Sequence, residues 1–452
     1  MSTKEKHMNR RSFLKATTIG SATLALSVGV ADITRAAQTE KGSAPKRMPT
    51  RVLGKTGVSI PILSMGSTDW VTNQSLLRIA LQMGVTFWDT ASDYENGKSE
   101  IGIGQYLAKY PEDRKKIFLV SKPTRAFEPK EMSTLLTQSL ERMHTDYVDL
   151  FGLQGVQDVN VLTPEIKAWA EQKKKEGKIK FFGFNVHANG PAMFIAAAKL
   201  GWIDVINSTY NYQMINDDMN KGLDALVKAN IGFIAMKTMG MRFGGAPPNM
   251  PPGQEGEPPR GEQGGPPGAG GQAPGQGGRP QGPPPGMQPP AASQEPEDLS
   301  AMKHFMDKGY TLEQAKLKLL WEDARVTSCL SKMTNLTILK DNVAAATDNQ
   351  KLSSLDINVL KRLTEDTRSF YCQGCMRCES VMSSESRIYD VLRYMMYYNS
   401  YGERDQAKEL FRQMPEAIRN AMSSKDYTRA EGICPNRVKI GSAMREAVML
   451  LG

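Results

Sequence analysis

At 452 residues, with 57 Lys and Arg against 48 Asp and Glu and only five Cys, the chain has room for one large domain and a small one. Its net charge of +9 overstates any basic surface, because Lys and Arg crowd the first residues. No arginine-rich face with interleaved aromatics stands out, which argues against a nucleic-acid partner.

At the start, Asn9-Arg10-Arg11-Ser12-Phe13-Leu14-Lys15 precedes a mildly apolar stretch from Ala16 to Ala31. Paired arginines ahead of a short apolar run predict a twin-arginine export signal over 1–37, cleaved near Arg35-Ala36-Ala37. A bilayer span needs about 20 strongly apolar residues, and the Thr, Ser and Gly of this stretch fall short of that. The expected partner is therefore the twin-arginine export machinery, and the expected location is periplasmic or otherwise exported. After cleavage the chain is not expected to be an integral membrane protein. A chance arginine pair before a frayed tail is the other reading. The pathway that this signal resembles carries folded proteins, so an oxygen-sensitive group would be inserted before export.

Between Thr50 and about Leu363, short apolar runs alternate with amphipathic stretches. The expected strands are Ile60–Met65, Thr86–Asp89, Ile117–Ser121, Val148–Leu153, Ile179–Phe184, Val205–Asn207, Phe233–Met236 and Val326–Leu330. Helical periodicity separates them, as in Met132–Met143 and Ile166–Glu176. Strands alternating with helices argue for a parallel sheet, and this number of strands closes a (β/α)8 TIM barrel, assigned to 48–365. Within it, residues 245–297 are almost wholly Gly, Pro and Gln, and they read as a disordered insertion after the seventh strand. A tether, a mobile cover and an inert insertion all remain open for it.

A small, mainly helical domain is expected over 366–452. It holds Cys372-Gln373-Gly374-Cys375-Met376-Arg377-Cys378 and Cys434-Pro435. In a two-cluster bacterial ferredoxin each run is C-x2-C-x2-C-x3-C-P, and the fourth Cys of one run ligates the cluster of the other. Cys372, Cys375, Cys378 and Cys434 thus match one complete [4Fe–4S] ligand set. The second set would need Cys at four places that hold Met382, Ser424, Tyr427 and Ala430. Disulfides and a zinc site are the competing readings, but three Cys so close suit bridges poorly, and zinc sites usually pair two knuckles. Cys329 reads as a buried strand residue without a role. The run Tyr394-Met395-Met396-Tyr397-Tyr398 either shields the cluster from water or packs as an ordinary helix.

The barrel resembles the aldo/keto reductases from Arg51 to about Ala345. The stretches that carry the likeness are Phe87-Trp88-Asp89-Thr90-Ala91-Ser92-Asp93-Tyr94, Phe118-Leu119-Val120-Ser121-Lys122 and Asp146-Tyr147-Val148-Asp149-Leu150-Phe151. A branch of that family carries a ferredoxin-like tail, which Tyr371 onward resembles. The resemblance implies a catalytic set of Asp89, Tyr94 and Lys122, with Gln154 where the family has His. A carbonyl that accepts hydride needs a nearby proton donor. Tyr94 is expected to supply the proton, its pKa lowered by Lys122, with Asp89 holding Lys122 charged. Gln154 can donate a hydrogen bond but cannot transfer a proton near neutrality. An ion pair bracing the barrel mouth is the purely structural alternative.

The resemblance also implies a nicotinamide cofactor, NADP or NAD. Asn185 and Asn207 match amide-binding positions, and Met236, followed by Lys237, stands where the family stacks a Tyr. Asn342 falls in the expected adenosine-contact helix, and Ile338 replaces the Arg that grips the 2′-phosphate, for which Lys332 is the remaining cation. Two functions follow. One is an exported oxidoreductase interconverting a carbonyl and an alcohol with a nicotinamide, with one [4Fe–4S] cluster and an electron-transfer partner. The other is a barrel that has lost this chemistry and serves as a binding or electron-transfer scaffold, with the cluster as its only redox centre.

Overall fold

A computed structural model describes residues 47–66, 69–123, 126–240, 298–382 and 385–452. The predicted export signal over 1–37 and the insertion over 245–297 lie outside the described residues. From Met48 to Gly452 the chain forms one compact unit.

An antiparallel hairpin of β1 (Thr50–Val52) and β2 (Ser59–Pro61) opens the unit. The expected strand Ile60–Met65 therefore divides at Ile62: Ile60 belongs to the hairpin, and the barrel begins with β3 (Leu63–Gly66). One apolar run serves two elements because both are buried, Ile60 in the barrel floor and Leu63 and Met65 in the larger core of the unit. Leu53 and Ile60 pack beside Phe87, Val120, Leu150 and Ile234 inside the barrel floor. Gly54 permits this close seating, since a Cβ there would stand 2.3 Å from the Gly232 nitrogen.

The barrel continues through β4 (Phe87–Asp89), β5 (Phe118–Ser121), β6 (Val148–Leu153), β7 (Ile179–Val186), β8 (Val205–Thr209), β9 (Gly232–Met236) and β10 (Ser328–Lys332). These strands close in the order β10-β3-β4-β5-β6-β7-β8-β9, and every pairing is parallel. The (β/α)8 expectation is met. The strands read as unbroken apolar runs because helices cover their outer face; every residue of β4, β5 and β6 is buried.

The segment after helix Ser354–Thr367 is helical, as expected: Arg377–Ser380, Ile388–Met396, Arg404–Arg412, Glu416–Ala421, Thr428–Ile433 and Ile440–Leu451. It buries an apolar core of its own around Ile388, Val391, Leu392, Met395, Phe411 and Met444. A π-helical turn, Tyr397–Tyr401, interrupts it, a distortion often found at functional sites. Among the described residues no helix is long and apolar enough to cross a membrane.

Helix Ser354–Thr367 is anchored by Asp356, which closes a capping box with Ser353 and accepts bonds from Lys308 at 2.6 Å and His304 at 2.7 Å. Burial raises the Asp356 carboxyl, but the bonds from Lys308, Ser353 and His304 outweigh it and hold the group below the usual carboxylate range. Asp356 therefore adds stability above the ordinary Asp range, and that stability fades as pH falls through its lowered folded value. Asp356→Asn is expected to melt at a lower temperature at pH 7, with the gap to the wild type closing below about pH 4. Equal melting at pH 7 would refute this anchoring role.

Candidate active site and cysteine cavity

The C-terminal ends of the parallel strands bring the expected catalytic residues together. Asp89 ends β4, and Lys122 follows β5; both are buried. Lys122 Nζ donates to Asp89 Oδ1 at 2.7 Å and to the Thr90 carbonyl at 2.6 Å. Removing two charges from water this deeply is costly unless they pair with good geometry, which this ion pair does. Asn207 Nδ2 lies 3.5 Å from Asp89 Oδ2.

Tyr94 opens a 3-10 turn, Tyr94–Gly97, whose Glu95 and Asn96 take left-handed backbone conformations. Lys122 Nζ stands 5.2 Å from the Tyr94 ring centroid, over the ring face. The expectation that Lys122 lowers the Tyr94 pKa is not met. Burial, followed by the Asp89 and Asp93 carboxylates, pushes the phenol well above its ordinary value. The reason is geometric, since the ammonium is spent on Asp89 and the Thr90 carbonyl. Tyr94 is thus a firmly protonated phenol at neutral pH, suited to donate rather than accept.

Gln154 follows β6, and its backbone N–H donates to the Pro123 carbonyl at 3.2 Å. Its Oε1 is buried without a partner. Asn185 Oδ1 accepts from the Gly155 N–H at 2.5 Å, which leaves its buried Nδ2 unpaired. Asn207 Oδ1 is likewise buried and unpaired. Buried polar atoms nearly always find partners, and these three have none among the described residues.

The other residues expected at a dinucleotide are engaged within the protein. Met236 ends β9 and packs beside the barrel-floor core. Lys237 donates to the Tyr397 phenol at 3.3 Å, and Lys332 pairs with Glu403 at 2.9 Å. Asn342 is buried and donates to Ser331 Oγ at 2.9 Å. Tyr397 and Glu403 belong to the C-terminal segment, which therefore lies on the barrel mouth. Burial alone would raise the Tyr397 phenol, but the Lys237 ammonium and the Arg393 guanidinium bring it below its ordinary value. Neither Tyr397 nor Glu403 stands out as a site residue in the sequence; the only signal is the aromatic run around Tyr397.

Cys372, Cys375, Cys378 and Cys434 line a single small cavity. All four are free thiols, so none is committed to a disulfide. Burial, with the neighbouring cysteines adding to it, pushes the Cys372 thiol up and raises Cys378 to about 12. The rest of the wall is largely apolar and includes Tyr371, Met376, Leu392, Val438 and Ile440. Tyr371 and Tyr389 are the aromatics in this wall, whereas Tyr397 turns to Lys237. Among the described residues, no group of three or more His, Cys, Asp or Glu is placed to hold a metal ion. The positions of the missing second ligand set are filled by packing: Tyr427 and Ala430 are buried in the tail core, with Met382 against it.

The cysteine loop is tied to the barrel. Gly374 has a φ of 68°, and a Cβ there would stand 3.0 Å from the His187 carbonyl oxygen and from the Tyr389 ring. Its carbonyl accepts from the Asn189 N–H at 2.6 Å. The Tyr371 hydroxyl accepts from Asn211 at 2.9 Å, and Asn436 donates to the Tyr371 carbonyl at 2.8 Å.

Comparison with known proteins bears on the family and the fold. The model of the aldo/keto reductase family matches residues 62–365, ending before Cys372. An L-galactose dehydrogenase from Arabidopsis thaliana is 22% identical over 331 residues, covering 68% of this chain and 90% of that one. An aldo-keto reductase from Fusarium vanettenii is 27% identical over 215 residues, covering 37% of this chain and 58% of that one. For two further curated relatives the match spans 59% and 49% of their length, so the chain covers about half of these proteins. Among solved structures, an aldo-keto reductase from Bacillus halodurans superposes with a TM-score of 0.50 at 17% identity, over 70% of this chain and 96% of that one. That likeness shows the fold. With a family match over more than half its length and the strand-end residues assembled, this chain belongs to the aldo/keto reductase family.

Proposed function

We propose that the barrel interconverts a carbonyl and an alcohol by hydride transfer, with Tyr94 as the proton donor. The observation that carries this reading is the buried Lys122–Asp89 pair at the strand ends, with the Tyr94 ring over the ammonium. In the reductive direction Tyr94 gives its proton to the carbonyl oxygen as negative charge develops there. Lys122, held by Asp89, places a fixed positive charge beside that oxygen. The Gln154 amide orients the carbonyl and moves no proton.

The nicotinamide end of a cofactor fits the residues present. Asn185 Nδ2 is an unpaired donor and Asn207 Oδ1 an unpaired acceptor, the complement of a carboxamide. A nicotinamide bound there supplies the hydride, and Met236 gives it an apolar wall in place of an aromatic ring. At the adenosine end, Lys332 must exchange Glu403 for phosphate. Family membership is compatible with NADP or NAD, and Lys332 favours the phosphorylated form as a point charge.

We further propose that Cys372, Cys375, Cys378 and Cys434 hold one [4Fe–4S] cluster. The shared cavity, the free thiols and the apolar wall support it. A cluster there supplies single-electron transfer. The Arg10-Arg11 signal supports loading before export through the twin-arginine pathway to the periplasm or beyond. The substrate is a small carbonyl or alcohol, and an electron partner belongs to the same reading.

A second reading is favoured by the contacts of Tyr397 and Glu403 with Lys237 and Lys332, which take up the cationic side chains a dinucleotide would use. In it the barrel is a scaffold for electron transfer and the cluster is its only redox centre. Titration of NADPH and NADH into the purified, cluster-loaded protein separates the two. The enzyme reading expects saturable binding, tightened roughly two- to fivefold in Glu403→Gln, because a half-exposed ion pair contributes about 0–1 kcal/mol. Absence of binding in both proteins would leave the scaffold.

A further inference from the structure

Between the barrel mouth and the cysteine cavity lies a second, small cavity, lined by His187, Thr209, Lys237, Tyr389, Arg393 and Met396 and reaching Cys372. Side chains two apart along a strand share a face, so Thr209 continues the row of Asn207 in β8, while His187 directly follows the end of β7, two residues after Asn185. The cavity thus sits one layer above the polar floor of the candidate active site, and its far side comes from the C-terminal segment.

Its charge is one-sided. Lys237 and Arg393 both line it, and no Asp or Glu does. The partner of Lys237 is the Tyr397 phenol, and Arg393 keeps Asp390 Oδ1 at 3.6 Å. Arg393 is held in place by the rings of Tyr389, Tyr394 and Tyr397, with centroids 5.6, 5.7 and 5.9 Å from its guanidinium carbon. Three buried polar atoms of the lining residues have no partner: His187 Nδ1, Thr209 Oγ1 and Arg393 Nε. Buried donors beside concentrated positive charge are left unpaired only at a cost, and an oxyanion would satisfy them together.

We infer that this cavity is a binding site for a small oxyanion, a carboxylate or its inorganic equivalent, held by Arg393 and Lys237 and oriented by Thr209 and His187. Its residues are distinct from Tyr94, Lys122 and Gln154 and share only Lys237 with the candidate dinucleotide site, so the inference stands whether or not the barrel transfers hydride. A carboxylate bound here would lie between the barrel floor and Cys372, where an acidic substrate meets both.

Calorimetric titration of the full-length, cluster-loaded protein with formate, acetate, nitrate and phosphate tests it. Saturable binding of at least one is expected, weakened at least about tenfold in Arg393→Met and in Lys237→Met, because charge-assisted hydrogen bonds are the strong ones. Thr209→Val, which preserves shape, is expected to weaken the same anion with circular dichroism unchanged, and this covers the case in which Arg393→Met does not fold. Preference for formate and acetate assigns the site to organic carboxylates, and preference for nitrate or phosphate assigns it to inorganic anions. No saturable binding of any probe, or wild-type affinity in both Thr209→Val and Lys237→Met, overturns the inference.

Discussion

Replacing Tyr94 by Phe is expected to lower carbonyl reduction by roughly 10²- to 10⁴-fold, the usual contribution of a positioned proton donor. The substitution removes one hydroxyl and keeps the ring over Lys122. Iron content and circular dichroism are therefore expected to stay as in the wild type. Because burial and the nearby carboxylates raise the phenol above its ordinary value, Tyr94 remains protonated through neutral pH. Its acid limb therefore lies above about pH 10, and between roughly pH 6 and 9 Tyr94 imposes no loss of reduction rate. A reductase that keeps its turnover with Phe at this position would dismiss the assigned role. Lys122→Met is a less clean probe: it removes the ammonium that balances the buried Asp89 carboxylate, at about 3–5 kcal/mol of stability.

The second large effect concerns the cysteines. Cys378→Ser is expected to reduce bound iron from about four per chain to near none, with loss of the thiolate–iron absorption. Melting temperature is expected to fall as well, since a group bound only by the folded state stabilises it. Cys329→Ser is the control. Cys329 is buried in β10, its thiol is raised by burial, and it is not among the residues lining the cysteine cavity. Iron retained in Cys378→Ser, or lost equally in Cys329→Ser, would remove the assignment. The four thiols surround one cavity although Cys434 lies far along the chain from the other three, across several helices. That convergence is the reason a single substitution is expected to affect the whole site.

The two sites share a boundary. Tyr389 and Leu392 line both the cysteine cavity and the cationic cavity beside it, and the same helix, Ile388–Met396, carries Arg393. The π-helical turn that follows then delivers Tyr397 to Lys237. A change that unseats this helix should be felt at the barrel mouth and at the cysteines together. Glu403→Gln and Cys378→Ser therefore probe the two ends of one contact surface.

What the amino-acid order determined by itself were the local and periodic features. Strands covered on both faces must be apolar throughout, so the alternation of apolar runs with amphipathic helices already implies a closed parallel barrel. The resemblance to the aldo/keto reductases singles out Asp89, Lys122 and Gln154, which lie at or just beyond C-terminal strand ends, and cysteine spacing selects the four thiols that line one cavity. The division of Ile60–Met65 escaped this reading because hairpin and barrel strand are both buried and read as one apolar run, although Ile60 packs in the barrel floor and Leu63 and Met65 in the larger core. What only the tertiary structure decided depends on contacts between distant parts of the chain. Lys237 and Tyr397 are 160 residues apart, and Lys332 and Glu403 are 71 apart, and no periodicity links such pairs. The direction of the Tyr94 pKa shift belongs here too, because it follows from burial and from where the Lys122 ammonium points. So does the cationic cavity, whose His187, Thr209 and Lys237 come from the barrel and whose Arg393 comes from the tail.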